Sequence, residues 1–345
     1  MPENGCVERS NFTIDLGAIR RNAATLMRAA EGAELWAVVK AEAYGHGAVD
    51  VSRAALEAGA SALCVATLPE ALHLRAGLRD ARIVVMGPVS ERELGEARAA
   101  KLELVAADGR VPEGVRVHLK IDSGMGRWGL SELPAPTRDV VGLMSHLAVA
   151  DSDPDFTRRQ LERFREATAG HDGVTRHVAN SAGTLRFPEA TFDAVRCGIA
   201  LYGISPFGTD PSADGLEPAL RWESQLALVK RLAPGQSTGY GRRFVADEPT
   251  WIGIVPVGYA DGFRRDMTGT EVLVEGERRR VVGTVSMDAL AVELDRELPV
   301  GTTVILVGGG VLIEDHARVA GTIAYEIATG LNTGSWRAKR VLRDG

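Results

Sequence analysis

The stretch ELWAVVKAEAYGHGAV, residues 34–49, runs an apolar segment directly into Lys40 and sets Tyr44 just ahead of a Gly-His-Gly turn. A charged lysine is costly to bury. Drawn into a partly desolvated pocket, it has a lowered pKa, and the neutral amine becomes a nucleophile able to form a Schiff base with a carbonyl carbon. Comparable polar residues stand at the ends of other apolar segments: Lys120 in VRVHLKI, His146 in VVGLMSHL, Asn180 and Ser181 after TRHVA, and Arg196 in AVRCG. Each alone has a plain structural explanation, either a chain leaving the core on a charge or a histidine satisfied within it. Their recurrence at five of eight segment ends favours a polar ring.

Lysine tolerates burial when it is covalently bound, and the commonest aldehyde partner is pyridoxal phosphate. That cofactor also needs a phosphate site and a group facing its ring nitrogen. Tyr44 offers a hydroxyl, while NSAG and CGIALYG offer backbone N–H groups where glycine permits close approach.

The elements that must position these residues alternate from residue 12 to about 200. LGAIRRNAATLMRAA has helical apolar spacing, and eight strand-like segments follow: LWAVVK, ALCVA, RIVVMG, LELVA, VRVHLKI, VVGLMSHL, TRHVAN and AVRCG. Continuous apolar strands separated by helices imply a parallel sheet covered on both faces, and eight units imply a closed (β/α)8 barrel, with a doubly wound open sheet as the alternative. Two connections are too short for that pattern. ADGRVPEG, residues 107–114, holds no full helix, and GRWGLSELPAPTRD carries Pro134 and Pro136, so two neighbouring outer helices are expected to be trimmed away.

After about residue 216 the texture changes to short strands and turns, with VEGE as a hairpin turn and little helix before EDHARVAGTIAYEIATG. The expected fold class is α/β: a barrel over residues 1–215, its first residues free to pair with the second domain, then a mostly β domain over 216–345. The boundary falls in GTDPSADGLEPAL.

Composition narrows the partners. The chain has 345 residues, 45% of them hydrophobic, and a net charge of −6 from 40 basic and 46 acidic residues. No basic face of the size needed for nucleic acid is expected, so the substrate is small. The start MPENGCVERS lacks the pattern of a signal peptide, and no apolar run approaches a membrane span, which points to the cytoplasm. Cys6, Cys64 and Cys197 have neither disulfide nor zinc-site spacing and read as reduced thiols, with no metal expected.

The motifs AVVKAEAYGHG, HLKIDSGMGRWG, HVANSAGTL, VRCGIALYG, STGYGRRF, VPVGYADGF, VGTVSMD and TIAYE occur in the order seen in alanine racemases, and the resemblance runs from about residue 12 to 340. It implies a barrel and a β domain in a head-to-tail homodimer with shared sites, using pyridoxal 5'-phosphate. It also implies roles: Lys40 as the Schiff-base lysine, Tyr44 and Tyr325 holding phosphate, and Asn180, Ser181, Gly198 and Ile199 lining the phosphate cup. Arg196 would face the ring nitrogen with His146 positioning it. Arg127 would hold the substrate carboxylate, and Lys120 matches a lysine often carried as a carbamate. From the β domain, Tyr240 corresponds to the second catalytic base, and Tyr259 and Met287 to the substrate entrance and carboxylate site. Lys40 would serve the D-face of the substrate and Tyr240 the L-face.

The chain departs from the family pattern at Glu42, where Asn or Asp is usual, at Ser286 for Cys and at Cys197 for Pro. The activity implied is interconversion of L- and D-alanine, supplying D-alanine for peptidoglycan. Alternatives are a racemase of serine or another small amino acid, and a non-catalytic cofactor-binding protein, which would lack the β domain. A decarboxylase of the same fold type would carry Glu in place of Arg196.

Overall fold

The computed structural model describes residues 9–135, 137–334 and 336–345; Cys6 and Pro136 lie outside them. Two compact units emerge: Gly17–Glu217, and Pro218–Gly345 together with the described residues up to Leu16.

In the first unit eight parallel strands close into a barrel: β2 Glu34–Val38, β3 Ala62–Val65, β4 Ile83–Val85, β5 Glu103–Ala106, β6 Arg116–Lys120, β7 Val140–Met144, β8 Thr175–His177 and β9 Ala194–Cys197. β9 returns to β2 with Trp36 opposite Arg196, so no edge is left open. β3 and β4 are buried along their whole length, as a parallel sheet wrapped by helices requires. The thiols of Cys64 and Cys197, on β3 and β9, are buried, and burial pushes both up to about 12, keeping them protonated.

Residues 107–114 form turns without helix, and none of the described residues of 130–139 is helical. What replaces the outer helices is a pair of apolar plugs. Val117, Leu119, Val140 and Leu143 form a buried cluster on β6 and β7, and Val111 and Leu133, one from each short connection, pack against it with Ala106 and Val174. The substitution leaves a cavity of about 370 Å³ beside the first connection, bordered by Met86, Leu94, Leu104, Val117 and Trp128.

The second unit is built on a nine-stranded sheet. Its order is Leu228–Leu232, Thr250–Val255, Leu290–Leu294, Glu277–Val282, Glu271–Val274, Thr303–Val307, Leu220–Gln225, β1 (Asn11–Asp15) and Lys339–Arg343. β1 pairs antiparallel with Leu220–Gln225 and parallel with Lys339–Arg343. The hairpin at VEGE turns through Glu275 (φ 53°) and Gly276 (φ 83°), the two positive values a two-residue turn of this hand demands. The helices Ile313–Ala320 and Ala324–Gly330 follow.

If the plugs stand in for helices, Leu133→Ala costs about 1–2 kcal/mol of stability, less than the roughly 2–5 kcal/mol of a fully buried leucine such as Leu143 because Leu133 is half-exposed. Urea unfolding of the two variants measures this, and an unchanged midpoint for Leu133→Ala would show that the connection bears no part of the barrel's stability.

Candidate active site

β2 ends at Val38, and Lys40 opens a tight turn in which Ala41, Glu42, Ala43 and Tyr44 all have φ between 51° and 54°. Such a left-handed turn costs on the order of 1–2 kcal/mol per L-residue, so something must hold it. Glu70 does part of this, accepting from the N–H of Ala41 at 2.8 Å and from those of Ala66 and Thr67. Ala43 N–H donates to Val39 O at 3.0 Å and Gly47 N–H to Glu42 O at 2.9 Å. The carboxylate of Glu42 accepts from Ala48 N–H at 3.0 Å, at the start of the helix Ala48–Glu57. The longer side chain at this position therefore reaches the helix.

The turn delivers Tyr44 to the end of the barrel. Its ring lies 4.9 Å from that of Tyr202, whose hydroxyl donates to Val38 O at 2.7 Å. A Cβ on residue 198 would stand 2.5 Å from the Tyr44 hydroxyl, so Gly198 is required by close approach. Beside it, Ser181 Oγ accepts from Gly198 N–H at 3.1 Å and Ala200 N–H at 3.4 Å. Asn180 caps the helix Ser181–Arg186 by accepting from Gly183 N–H at 2.9 Å, and Ile199 opens the 3-10 turn that follows Gly198. The structure thus gathers Tyr44, Asn180, Ser181, Gly198 and Ile199 on the β8 and β9 side.

Arg127 sits on the loop after β6, and Asp122 shapes that loop. Its carboxylate accepts from the N–H groups of Gly124, Met125 and Gly126 at 2.8–3.1 Å. A Cβ at Gly129 would come within 2.5 Å of Asp122 N, so glycine closes the loop's far end. Trp128 lies between two cations, with Arg127 Cζ 5.4 Å and Lys120 Nζ 5.8 Å from its ring.

Arg196 lies within β9 rather than at its tip, fully buried, and its guanidinium reaches across the barrel. Nη2 donates to Ser145 O at 2.7 Å and Val178 O at 3.2 Å and lies 3.3 Å from His146 Nδ1, while Nη1 lies 2.6 Å from His177 Nδ1. Burial lowers Arg196 to about 10, which leaves it cationic at neutral pH.

Electrostatics tie the ring together. Burial and the neighbouring Arg127 lower the Lys40 amine, against a smaller opposing effect of Glu70. Burial, Arg196 and Arg127 lower Lys120 to about 8. His146 falls well below its usual range through burial and then through Arg196, Lys120, Arg127 and Lys40, so all four cations act on one point.

The remaining candidates belong to the second unit. A Cβ at Gly258 would overlap Ser286 O and Met287 O at 2.2 and 2.5 Å, and this approach lets Tyr259 N–H donate to Ser286 O and Ala260 N–H to Met287 O. Tyr259 and Met287 are thereby held side by side. Gly239, at φ 78°, abuts Thr284, whose hydroxyl donates to Tyr240 O at 2.8 Å. Buried Asp261 anchors the group, accepting from Gly258 N–H and pairing with Arg9 and Arg337. Tyr240, Met287 and Tyr259 are 72%, 52% and 42% exposed. Tyr325 stands on the first turn of Ala324–Gly330, half-buried.

Sequence reading passed over Glu70, Asp122, Asp261 and His177. Glu70 had a signal, because Thr67 and Glu70 form a capping box at the start of the helix Leu68–Gly77.

Residues 14–206 match the alanine racemase N-terminal domain and residues 219–342 the alanine racemase C-terminal domain. The alanine racemase of Lactiplantibacillus plantarum is 41% identical over 356 residues, covering 93% of this chain and 95% of that one. The crystal structure of alanine racemase from D-cycloserine-producing Streptomyces lavendulae superposes with a TM-score of 0.89 at 36% identity, over 99% of this chain and 98% of that one. That of Bartonella henselae, with covalently bound pyridoxal phosphate, gives a TM-score of 0.87 at 27% identity, over 97% and 99%. This chain belongs to the alanine racemase family.

Proposed function

We propose that the chain binds pyridoxal 5'-phosphate through Lys40 and interconverts L- and D-alanine by two bases, Lys40 and Tyr240, in the cytoplasm, supplying D-alanine for peptidoglycan. The observation that carries this reading is the placement of Lys40 just past the end of β2, on the turn that brings Tyr44 against Gly198 beside the Ser181 hydroxyl; burial and Arg127 also lower the Lys40 amine. The residues around it fit the cofactor. The Tyr44 hydroxyl, the Ser181 hydroxyl and the backbone at Gly198 and Ile199 converge where a phosphate would be held, with the contact of Tyr44 on Gly198 leaving no room for a side chain. Asn180 fixes the first turn of that cup, and Tyr325 would add a second phenol.

When bound to Lys40, the cofactor supplies an electron sink for the carbanion at the substrate Cα. Arg196 would face its ring nitrogen as a fixed cation, which disfavours protonation there and weakens the sink, a property suited to racemisation over transamination. His146, kept neutral by burial and the surrounding cations, would accept from Arg196 and steady it. Arg127 would hold the substrate carboxylate. Lys40 Nζ would move the α-proton on the D-face, and Tyr240 Oη on the L-face.

Three further parts of the reading rest on specific features. Tyr240, Tyr259 and Met287 present apolar surface to solvent in one chain, which supports a head-to-tail homodimer that covers them with a second barrel. The substrate is a small amino acid. Lys120, buried and lowered to about 8, is about one-tenth neutral at pH 7, and the neutral amine is the form that reacts with carbon dioxide to give a carbamate and release a proton. That conversion turns a cation beside Arg127 into an anion.

The shared-site reading is tested by mixing Lys40→Ala and Tyr240→Phe, both inactive, under conditions that exchange subunits. A mixed dimer carries one doubly defective and one intact site, so activity returns to about half of wild type per mixed dimer. No recovery would mean that each site uses one chain.

The carbamate is tested with carbon-13 bicarbonate and NMR. Because the neutral amine reacts, occupancy at Lys120 falls as pH drops from 8 to 6, a range over which the neutral fraction of an amine at about 8 declines roughly fiftyfold. A signal absent in wild type, or one retained in Lys120→Ala, rejects the assignment.

A further inference from the structure

The hydrogen bond from Arg196 to His177 is the first link of a longer chain. His177 Nε2 lies 2.9 Å from His118 Nδ1, and His118 Nε2 lies 2.8 Å from Glu103 Oε2. All four residues are buried. At the far end Glu103 is gripped by Arg82 at 3.0 Å and by Arg116 at 3.1 Å. The space is shaped for this path: a Cβ at Gly142 on β7 would stand 2.0 Å from His118 Nδ1. Trp36 closes one side, 4.5 Å from the His177 ring and 5.5 Å from that of His118.

The two ends dictate the direction of every proton. A guanidinium only donates, so His177 Nδ1 accepts and its proton sits on Nε2. That N–H must then find a lone pair on His118 Nδ1, which places the His118 proton on Nε2, facing the carboxylate of Glu103. An imidazolium at either ring, or a reversed tautomer, would set N–H against N–H at one of the joints. Both rings are therefore neutral, and burial acts in the same sense on each.

The consequence concerns charge. A carboxylate placed directly on Arg196 would neutralise it, whereas a neutral imidazole accepts its hydrogen bond and leaves the charge whole. The acid on this path is three hydrogen bonds away and already bound by two other arginines. We propose that His177, His118 and Glu103 form a one-way hydrogen-bond relay that positions Arg196 as an uncompensated cation, with Arg196 setting its direction and Glu103 as the obligate acceptor that ends it. Resting on the reading that Arg196 faces the cofactor, this makes the three positioning residues for the reaction.

The decisive variant is Glu103→Gln, which keeps the shape but offers an amide that can donate as well as accept, so the far end of the relay, at His118, is no longer enforced. In cofactor-free wild type, nitrogen-15 NMR of the imidazoles should show His177 and His118 each as a single neutral tautomer protonated at Nε2. In Glu103→Gln that single-tautomer signature should be lost at His118, whose Nε2 proton no longer faces an obligate acceptor, and kept at His177, whose Nδ1 still accepts from Arg196. In the loaded enzyme kcat should fall about 10- to 100-fold with KM for alanine nearly unchanged, and the visible absorption of the bound cofactor should shift. A charged or Nδ1-protonated ring in wild type overturns the relay, even if the variant fails to fold. So do an unchanged His118 signal or unchanged kcat in a folded variant. Failure of wild type to take up pyridoxal phosphate would instead reject the functional reading while leaving the tautomer test intact.

Discussion

Four cations, Lys40, Lys120, Arg127 and Arg196, act on a single histidine, His146, just past the end of β7, and the rest of the site follows from that concentration of like charge. Like charges in a desolvated space lower one another's proton affinity, and an amine can yield its proton where a guanidinium cannot. The site thus sorts its cations by chemistry: the two arginines stay charged, and the two lysines are pushed toward the neutral, nucleophilic form. The acids that temper this, Glu70 near Lys40 and Asp122 near Lys120, are each engaged with backbone N–H groups. The same carboxylates that moderate the charge also shape the turn carrying Lys40 and the loop carrying Arg127. Phosphate, substrate carboxylate and a carbamate are the kinds of group such a field would take up.

Backbone geometry is the second constraint. The left-handed turn after β2 uses no glycine until Gly45, so its strain is met by hydrogen bonds from outside the turn, chiefly to Glu70. Glycine appears instead where two parts of the chain must touch: Gly198 against Tyr44, Gly129 against Asp122, Gly142 against His118 and Gly258 against Ser286. In each pair the second partner positions a site residue or is one.

Much of this was legible in the sequence. The alternation of apolar strands and helices gave the barrel, and Pro134 with the eight-residue ADGRVPEG gave the loss of outer helices. The replacement of those helices by Val111 and Leu133 was not legible, because a single apolar residue in a loop has no periodicity to announce it. The left-handed turn was hidden for a similar reason: KAEAY has strong helix formers and nothing that forces positive φ. The relay had a signal that was passed over. His118 and Lys120 are two apart on β6 and so share a face, Glu103 interrupts the otherwise apolar β5, and His177 ends β8, two strands on from β6. Polar residues inside barrel strands need partners across the barrel, and only the closed fold shows which strands bring them together.

The claim that burial and the neighbouring Arg127 activate Lys40 is open to direct measurement. The chain has five lysines, Lys40, Lys101, Lys120, Lys230 and Lys339, so its amine signals can be assigned one by one. An NMR titration of the Lys40 amine in cofactor-free protein, with Arg127→Gln as the paired variant, should find Lys40 losing its proton below the ordinary lysine range and shifting upward in the variant. A Lys40 that titrates in the ordinary lysine range, or that is indifferent to the loss of Arg127, would contradict it.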